Sequence, residues 1–518
     1  MNRKRKLPLG IQTFRKIREQ GCYYVDKTAY ARRLVEEGDH YFLSRPRRFG
    51  KSLFVDTLKE LFEGNESLFR GLAVHDGWDW SVRRPVVRLD FGSGDFGDPA
   101  HLPRAVLAQL DAAAEDAGVA VRYDVASLRL QDLLKTLHRR AGQRVVVLVD
   151  EYDRPILDAL KTPEVAEANR DYLRGLYSVT KTSDAHIAFS FLTGVSKLAK
   201  VSLFSGLNNP TDLTLDPACA AICGYTEADL DTVFAAELPG LDRDRIREWY
   251  NGYNWLGPDR LYNPFDVLQL FRSRRFRPYW FETGTPAFLI DTLIRQRVSI
   301  PSLDGLRGDD DLLSKFDVRD AAPEALLFQT GYLTIREEET GLLGAPLYRL
   351  GYPNHEVRWS LNKSLLAALT PPDCARRHPA DPRLTERLRA GDFDGVEALV
   401  RGLFAGIPFE WHTRNEIARY EGYYASVFYA WLAAVGLDVT VEDSGAAWRA
   451  DLAVRLDGNV YLFEFKVVEQ APGGAALAQL RAKGYADKYR HRAREVHLIG
   501  VEFSRQERNV VAFETERA

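Results

Sequence analysis

Three groupings of residue types in this chain have the spacing to carry chemistry. The first is Gly50-Lys51-Ser52, which closes the stretch Tyr41-Phe42-Leu43-Ser44-Arg45-Pro46-Arg47-Arg48-Phe49. A short apolar run enters a loop, and apolar residues at helical spacing follow it (Leu53, Leu58, Leu61, Phe62). That order suits a loop that cradles phosphate: Gly50 lets backbone approach an anion, Lys51 reaches the outer phosphates, and the Ser52 hydroxyl can ligate Mg²⁺. The full pattern would place another glycine where Arg45 stands, and the competing reading is a basic surface turn ahead of an amphipathic helix. The second grouping is Asp150-Glu151-Tyr152-Asp153 at the end of the apolar run Val145–Val149. Such a run reads as a strand buried on both faces, and carboxylates at its C-terminal end lie where open α/β sheets bind ligands. Asp150 would hold the metal and Glu151 would polarise the attacking water, as in a Walker B pattern.

The third grouping lies in Asp451-Leu452-Ala453-Val454-Arg455-Leu456-Asp457-Gly458-Asn459-Val460-Tyr461-Leu462-Phe463-Glu464-Phe465-Lys466. Asp-Gly between two apolar runs predicts a hairpin with a two-residue type I′ turn. With Asp457 and Gly458 as the loop, Leu456 pairs with Asn459, and counting back sets Asp451 opposite Glu464. Cross-strand partners share a face about 5 Å apart, and Lys466 points to the same side as Glu464. Two carboxylates so close call for a divalent cation, Mg²⁺ or Mn²⁺, which can activate water and offset charge on a phosphate. Phe463 and Phe465 take the opposite face. The competing reading is an exposed hairpin with a Glu–Lys pair. Glu421, near the start of the preceding helix, could add a ligand or could simply favour a helix N-terminus. Arg481, Lys483, Lys488, Arg490, Arg492 and Arg494 form a basic segment able to meet a phosphate backbone, although such runs are more often solvated helix faces.

The elements that must position these residues follow from periodicity. Candidate strands are Tyr41–Leu43, Pro85–Phe91, Val145–Val149 and His186–Thr193, separated by helical patterns that include Leu102–Ala117 and Leu128–Arg140. Such alternation predicts a parallel sheet with helices on its faces. From Asp216 to about Thr370 the pattern is mainly helical, with Leu326–Ile335 and Pro346–Tyr352 predicted as strands of a winged-helix-like unit or lid. A Pro- and Arg-rich stretch then reads as a linker. Asp392–Gly406, Ala418–Val435 and Ala475–Tyr489 read as helices. The expected organisation is therefore 1–215 for the first α/β domain, 216–370 for the helical region, 371–390 for the linker and 391–518 for a second α/β domain.

Composition narrows the classes. The chain has 518 residues, 45% hydrophobic and 28% charged, with a net charge of −3, which excludes a globally basic protein that coats nucleic acid. The start, Met1-Asn2-Arg3-Lys4-Arg5-Lys6, has no apolar stretch behind it, and no run approaches the roughly 20 residues of a membrane span. Cys22, Cys219, Cys223 and Cys374 are too scattered for a disulfide framework. A cytoplasmic protein without a membrane partner is the expectation.

Both halves also resemble known families. Residues from about 6 to 215 resemble the bacterial AAA-ATPase-like family with a degenerate P-loop, through Arg45-Pro46-Arg47-Arg48-Phe49-Gly50-Lys51-Ser52, Val25-Asp26-Lys27-Thr28, Asp150-Glu151-Tyr152-Asp153, Phe191-Leu192-Thr193-Gly194-Val195 and Gly206-Leu207-Asn208-Asn209. The resemblance implies a P-loop NTPase fold, ATP and Mg²⁺ as ligands, phosphate contacts from Arg45, Arg48, Phe49, Gly50, Lys51 and Ser52, and a sensor-like place for Thr193. The tail is similar to the PD-(D/E)XK nuclease superfamily, a restriction-endonuclease-like α/β domain, with motif residues at Glu421, Asp451, Glu464, Lys466, Gln479 and Tyr485. It implies Asp451 and Glu464 as metal ligands, Lys466 as transition-state stabiliser, and Glu421 and Gln479 in support. The chain departs from the expected shorter approach to that acid by reading Trp448-Arg449-Ala450-Asp451. The expected function is an ATP-binding module coupled to a metal-dependent nuclease acting on DNA, with ATP gating access or driving homo-oligomer assembly. A role in mobile-element or phage defence rests on that pairing alone. The rivals are a nucleotide-switched regulator that binds without cutting, and a nuclease whose P-loop no longer hydrolyses ATP.

Overall fold

The structure, a computed structural model, describes residues 4–197, 210–283, 287–296, 298–310, 313, 322–341, 344–370, 382–405, 421–441, 452–468, 473–504, 506–507 and 509–518, without the side chains of Ala287, Phe288, Pro382, Glu421, Lys483 and Tyr485. It divides into two compact units, one of Met1–Gly284 with Arg307–Arg349 and one of Thr285–Leu306 with Leu350–Ala518.

The first unit is built on a five-stranded sheet of order β2-β3-β4-β1-β5, from β1 (His40–Ser44), β2 (Val86–Asp90), β3 (Val145–Asp150), β4 (Ile187–Gly194) and β5 (Thr211–Asp212). All four pairings are parallel. Every residue of β3 and β4 is buried, which is why both read as unbroken apolar runs, while β2 at the edge alternates. The helix Ala126–Ala141 places Leu130, Leu133, Leu134 and Leu137 on one buried stripe at helical spacing. The helix Lys51–Phe62 is buried along most of its length and lies against β3 and β4. The parallel order puts the C-terminal ends of β1, β3 and β4 side by side, and the residues of the first two groupings with them.

The middle of the chain departs from its expected outline. Leu326–Ile335 is not a strand: a helix runs over Pro323–Thr330, and β7 begins only at Thr334. Ala325–Phe328 is an apolar run buried throughout, and such a run does not distinguish a strand from a buried helix turn, whereas Pro323 at the first helical position favours the helix. β8 (Pro346–Gly351) forms as expected and joins β7 (Thr334–Thr340) and β6 (Arg307–Gly308) in a three-stranded sheet. Residues 382–390 of the expected linker form a helix, and 371–381 lie outside the described residues.

The second unit carries a five-stranded sheet of order β13-β12-β11-β10-β9, from β9 (Asp438–Val441), β10 (Leu452–Leu456), β11 (Asn459–Val468), β12 (Val496–Ser504) and β13 (Val510–Arg517). β10 and β11 form the hairpin, with Asp457 and Gly458 at φ 50° and 83° as a type I′ turn requires. The register runs from Leu456↔Asn459 to Leu452↔Phe463, as counted from the sequence. β11 and β12 are parallel, and the crossover between them is helical. Gly484, at φ 65°, splits the expected single helix into Ala475–Lys483 and Tyr485–Arg490. Among the described residues no helix is long and apolar enough to cross a membrane.

A buried ion pair closes the edge of the first sheet. Lys197 Nζ stands 3.0 Å from Asp212 Oδ2 with both side chains largely buried. Burial pushes the Asp212 carboxyl upward, but Lys197 and hydrogen bonds from Thr214 override it and hold the group down at about 2. A depressed carboxyl stabilises the fold above its unfolded value and loses that contribution as pH falls toward its folded value. Asp212→Asn is therefore expected to cost about 2 kcal/mol at pH 7 and progressively less below about pH 4, measured by urea titration across that range.

Candidate functional site

In the first unit the loop after β1 delivers Gly50 at φ 98°, a left-handed conformation in which a side chain would be strained, as the residue before the helix Lys51–Phe62. The first N–H groups of that helix therefore open toward a cavity of about 390 Å³. Its walls include Arg47 to Ser52 on one side, Glu151 and Arg154 on another, and Tyr24, Val25, Tyr225 and Phe265 elsewhere. Lys51 is buried and donates to the carbonyls of Arg45 at 2.8 Å and Pro46 at 3.0 Å. Burial lowers its pKa, and the charges of Glu151 and Asp150 oppose that shift.

Asp150 ends β3 and is almost fully buried. Its Oδ1 accepts from Thr193 Oγ1 at 2.8 Å, and Arg88 Nη2 lies 3.5 Å from Oδ2. Burial raises its pKa, while the nearby hydroxyls of Ser52 and Thr193 pull the other way. Ser52 lines the cavity, and Asp150 and Thr193 form a hydrogen-bonded pair at the ends of the neighbouring strands β3 and β4. Glu151 takes φ 50°, and its Oε2 lies 3.2 Å from Arg154 Nη1. Arg154 also donates to the Gly92 carbonyl. A hydroxyl and a buried carboxylate beside helix N–H groups form a donor set that fits Mg²⁺ with a nucleotide phosphate.

One loop residue, Arg45, is placed differently from the phosphate contact implied by resemblance. Arg45 is fully buried with its side chain turned into the protein, where Nη1 donates to the carbonyls of Ser44 and Thr214 at 2.8 and 3.0 Å and Nη2 to those of Cys219 and Ala220, both at 3.3 Å. It stacks 4.3 Å from the Trp255 ring centroid. Desolvation lowers its pKa to about 10. The Phe49 ring is buried edge-on to Tyr253 and Trp255. Arg48, at φ 68°, stays at the cavity with its guanidinium over Phe265.

Sequence reasoning passed over Asp153, Arg154 and Phe265. Asp153 is buried and accepts from the Val195 N–H at 3.0 Å, the Ser196 N–H at 2.6 Å and the Ser196 hydroxyl at 2.7 Å, so it fixes the chain after Thr193. Its place in Asp-Glu-Tyr-Asp was the available signal. The wall position of Phe265 has no local signature in the sequence.

In the second unit Glu464 is 1% exposed and Lys466 half-buried, on one face of β11. Phe463 and Phe465 take the other face, against Phe428 of the helix Glu421–Ala434 at 5.2 and 5.0 Å. The Glu464 face is covered by the helix Ala475–Lys483, with Val460 and Leu462 packed in one core with Leu477 and Leu480. Gln479 rides on that helix, and its buried Nε2 has no hydrogen-bond partner among the described residues. An orphaned buried donor suits a phosphate oxygen or an ordered water. Asp451 and the side chains of Glu421 and Tyr485 lie outside the described residues, among which no cluster of three acids, histidines or cysteines could hold a metal.

Arg45→Ala would remove a donor from four buried carbonyls, of which that of Cys219 keeps the Ile222 N–H, at about 1–3 kcal/mol for each buried polar group left unpaired. The expected outcome is a loss of at least about 3 kcal/mol in chemical denaturation, with Arg45→Lys recovering only part of it because one ammonium cannot span the four acceptors.

Comparison with known proteins bears on both units. The model of a family described as "Predicted AAA-ATPase" matches residues 8–204, and that of the PD-(D/E)XK nuclease superfamily matches residues 419–513. An "Uncharacterized protein in vnfD 5'region" of Azotobacter chroococcum mcd 1 is 57% identical over 519 residues, covering 100% of this chain and 99% of that protein. No solved structure matches the chain. The chain belongs to the AAA-ATPase-like family and carries a PD-(D/E)XK nuclease superfamily domain at its C-terminus.

Proposed function

We propose that the chain binds ATP in the cavity beside Gly50-Lys51-Ser52 and hydrolyses DNA phosphodiester bonds at the Glu464–Lys466 face, as a cytoplasmic protein whose nucleotide state gates cutting or assembly. The observation that carries the reading is the face of β11: a buried carboxylate and a half-buried lysine two residues apart, under a helix that offers an unpartnered amide donor.

In the first unit Lys51 exchanges its two loop carbonyls for nucleotide phosphates. Ser52 and Asp150 would hold Mg²⁺, Thr193 orients the Asp150 carboxylate, and Glu151 orients water once released from Arg154. In the second, Asp451 and Glu464 would hold Mg²⁺ or Mn²⁺, which when bound polarises the scissile phosphate. The Lys466 ammonium offsets charge growing on that phosphate, and Gln479 donates to a phosphate oxygen or the attacking water. Glu421 belongs with Asp451 and Glu464 in this reading. Arg481, Lys488, Arg490, Arg492 and Arg494 supply a basic approach for the DNA backbone. A defence role against phage or mobile elements is the biological extension, and a deletion strain with unchanged phage susceptibility and element transfer would count against it.

One observation favours a second reading. The ion pair between Arg154 and Glu151 occupies the carboxylate that should orient water, which suits a slow nucleotide switch that binds nucleic acid without cutting.

Purified protein incubated with supercoiled, linear and single-stranded DNA, with Mg²⁺ or Mn²⁺ and with or without ATP, separates the two. Cleavage is expected to stop in EDTA and to fall roughly 100-fold or more in Lys466→Ala. Lys51→Ala is expected to weaken nucleotide binding by about 2 kcal/mol or more, the worth of a charged hydrogen bond. Glu151→Gln should keep binding and lose hydrolysis. Hydrolysis without cleavage under every condition would favour the switch.

A further inference from the structure

Opposite the Glu464–Lys466 face, β12 carries two residues that no motif names. In the parallel register Gly500 is the partner of Glu464, and Glu502 is the partner of Lys466. Glu502 is 1% exposed. Its Oε2 accepts from the Gly473 N–H at 2.8 Å, and its Oε1 accepts from the N–H groups of Ala475 at 2.6 Å and Ala476 at 3.3 Å. These donors open the helix Ala475–Lys483, whose N-cap is Gly474 and so offers no side chain of its own to satisfy them. A carboxylate suits the place: both oxygens accept, and its charge faces the positive end of the helix dipole.

Gly500 sets how close that helix comes. A Cβ there would stand 2.5 Å from the backbone nitrogen of Leu477, so helix backbone rests directly on strand at the position beside Glu464. The pairing of β12 with β13 shifts register between Glu502 and Phe503, an irregularity that re-aims side chains locally. Gln479 lies in the next turn of the same helix, with its buried Nε2 unpartnered among the described residues.

We propose that Glu502 is a positioning residue of the nuclease centre: its carboxylate ties the start of the Gln479 helix to the strand beside Lys466 and thereby sets where the Gln479 amide stands relative to Glu464. The proposal rests on the nuclease reading above. Substitution by Gln keeps one acceptor and turns an NH₂ group against a backbone N–H, which loosens the helix start without emptying the space.

The test is a double-mutant cycle in the full-length chain, with Glu502→Gln, Gln479→Ala and the pair, read as steady-state cleavage of duplex DNA with Mn²⁺ and as amide exchange over residues 473–480. Glu502→Gln is expected to lower kcat roughly 10- to 100-fold, as loss of a ligand-orienting partner does, with KM near native, a lowered melting temperature and faster exchange in that segment. In the Gln479→Ala background the same change is expected to cost less than about twofold, because the residue it positions is gone. Native cleavage by Glu502→Gln, or an equal loss in both backgrounds, overturns the proposal and leaves the nuclease reading intact. A native chain that cuts nothing overturns the nuclease reading, and this proposal falls with it. If Glu502→Gln does not fold, Glu502→Asp, which keeps both acceptor oxygens one methylene back, takes its place in the cycle.

Discussion

The first unit depends on a buried guanidinium whose hydrogen bonds go to backbone carbonyls. Arg45 sits at the loop position where a glycine would otherwise give the chain room, and its side chain instead leaves the loop for the interior. There it holds the carbonyls of Thr214, Cys219 and Ala220 and lies over Trp255. A charge taken out of water needs partners for its donors; both Nη groups of Arg45 are met by carbonyls while its Nε has no partner among the described residues, so the loop and the segment after β5 move together. That segment leads at once into Cys223 and Tyr225 of the cavity wall. The loop is pinned from the same side by Trp280 donating to the Arg47 carbonyl and by the Gly224 N–H donating to that of Phe49. Rigidity that glycine would forfeit is supplied by tertiary contacts.

Much of the scaffold was legible because burial on both faces leaves a plain imprint. β3 and β4 had to be continuous apolar runs, and the Asp457-Gly458 turn fixed a hairpin register that could be counted residue by residue. What stayed hidden depended on partners remote in sequence. Nothing near Arg45 announces acceptors 169 to 175 residues away, and nothing near Glu502 announces that it caps a helix 26 to 29 residues before it. Leu326–Thr330 went astray for a different reason: a short apolar run carries no period, and its environment decides between helix and strand. Of the candidate sites, the shared face of Glu464 and Lys466 and the placement of Ser52 and Asp150 on the C-terminal side of one sheet were readable from spacing and strand order. The occupation of Glu151 by Arg154 was not, since an i,i+3 pair reads as ordinary surface charge.

Buried carboxylates in this chain are satisfied by different means. Asp150 meets the Thr193 hydroxyl, a donor that can rotate toward another partner, whereas Asp153 is held mainly by the backbone N–H groups of Val195 and Ser196, which cannot. Glu502, like Asp153, spends its charge on backbone amides. Carboxylates met by fixed amides hold the frame in place, whereas Asp150, met by a hydroxyl that can turn away, keeps the freedom that exchanging ligands demands.

The contact between Gly500 and Leu477 bears on how the C-terminal domain could be lost in evolution. Any side chain at that position must lift the helix off the strand next to Glu464, while every acid, lysine and glutamine of the motif stays in the sequence. On the nuclease reading proposed above, a lineage could thus abandon cutting through a single methyl group and still be read from its motifs as a nuclease. On that same reading the glycine beside the acid is as informative as the acid itself.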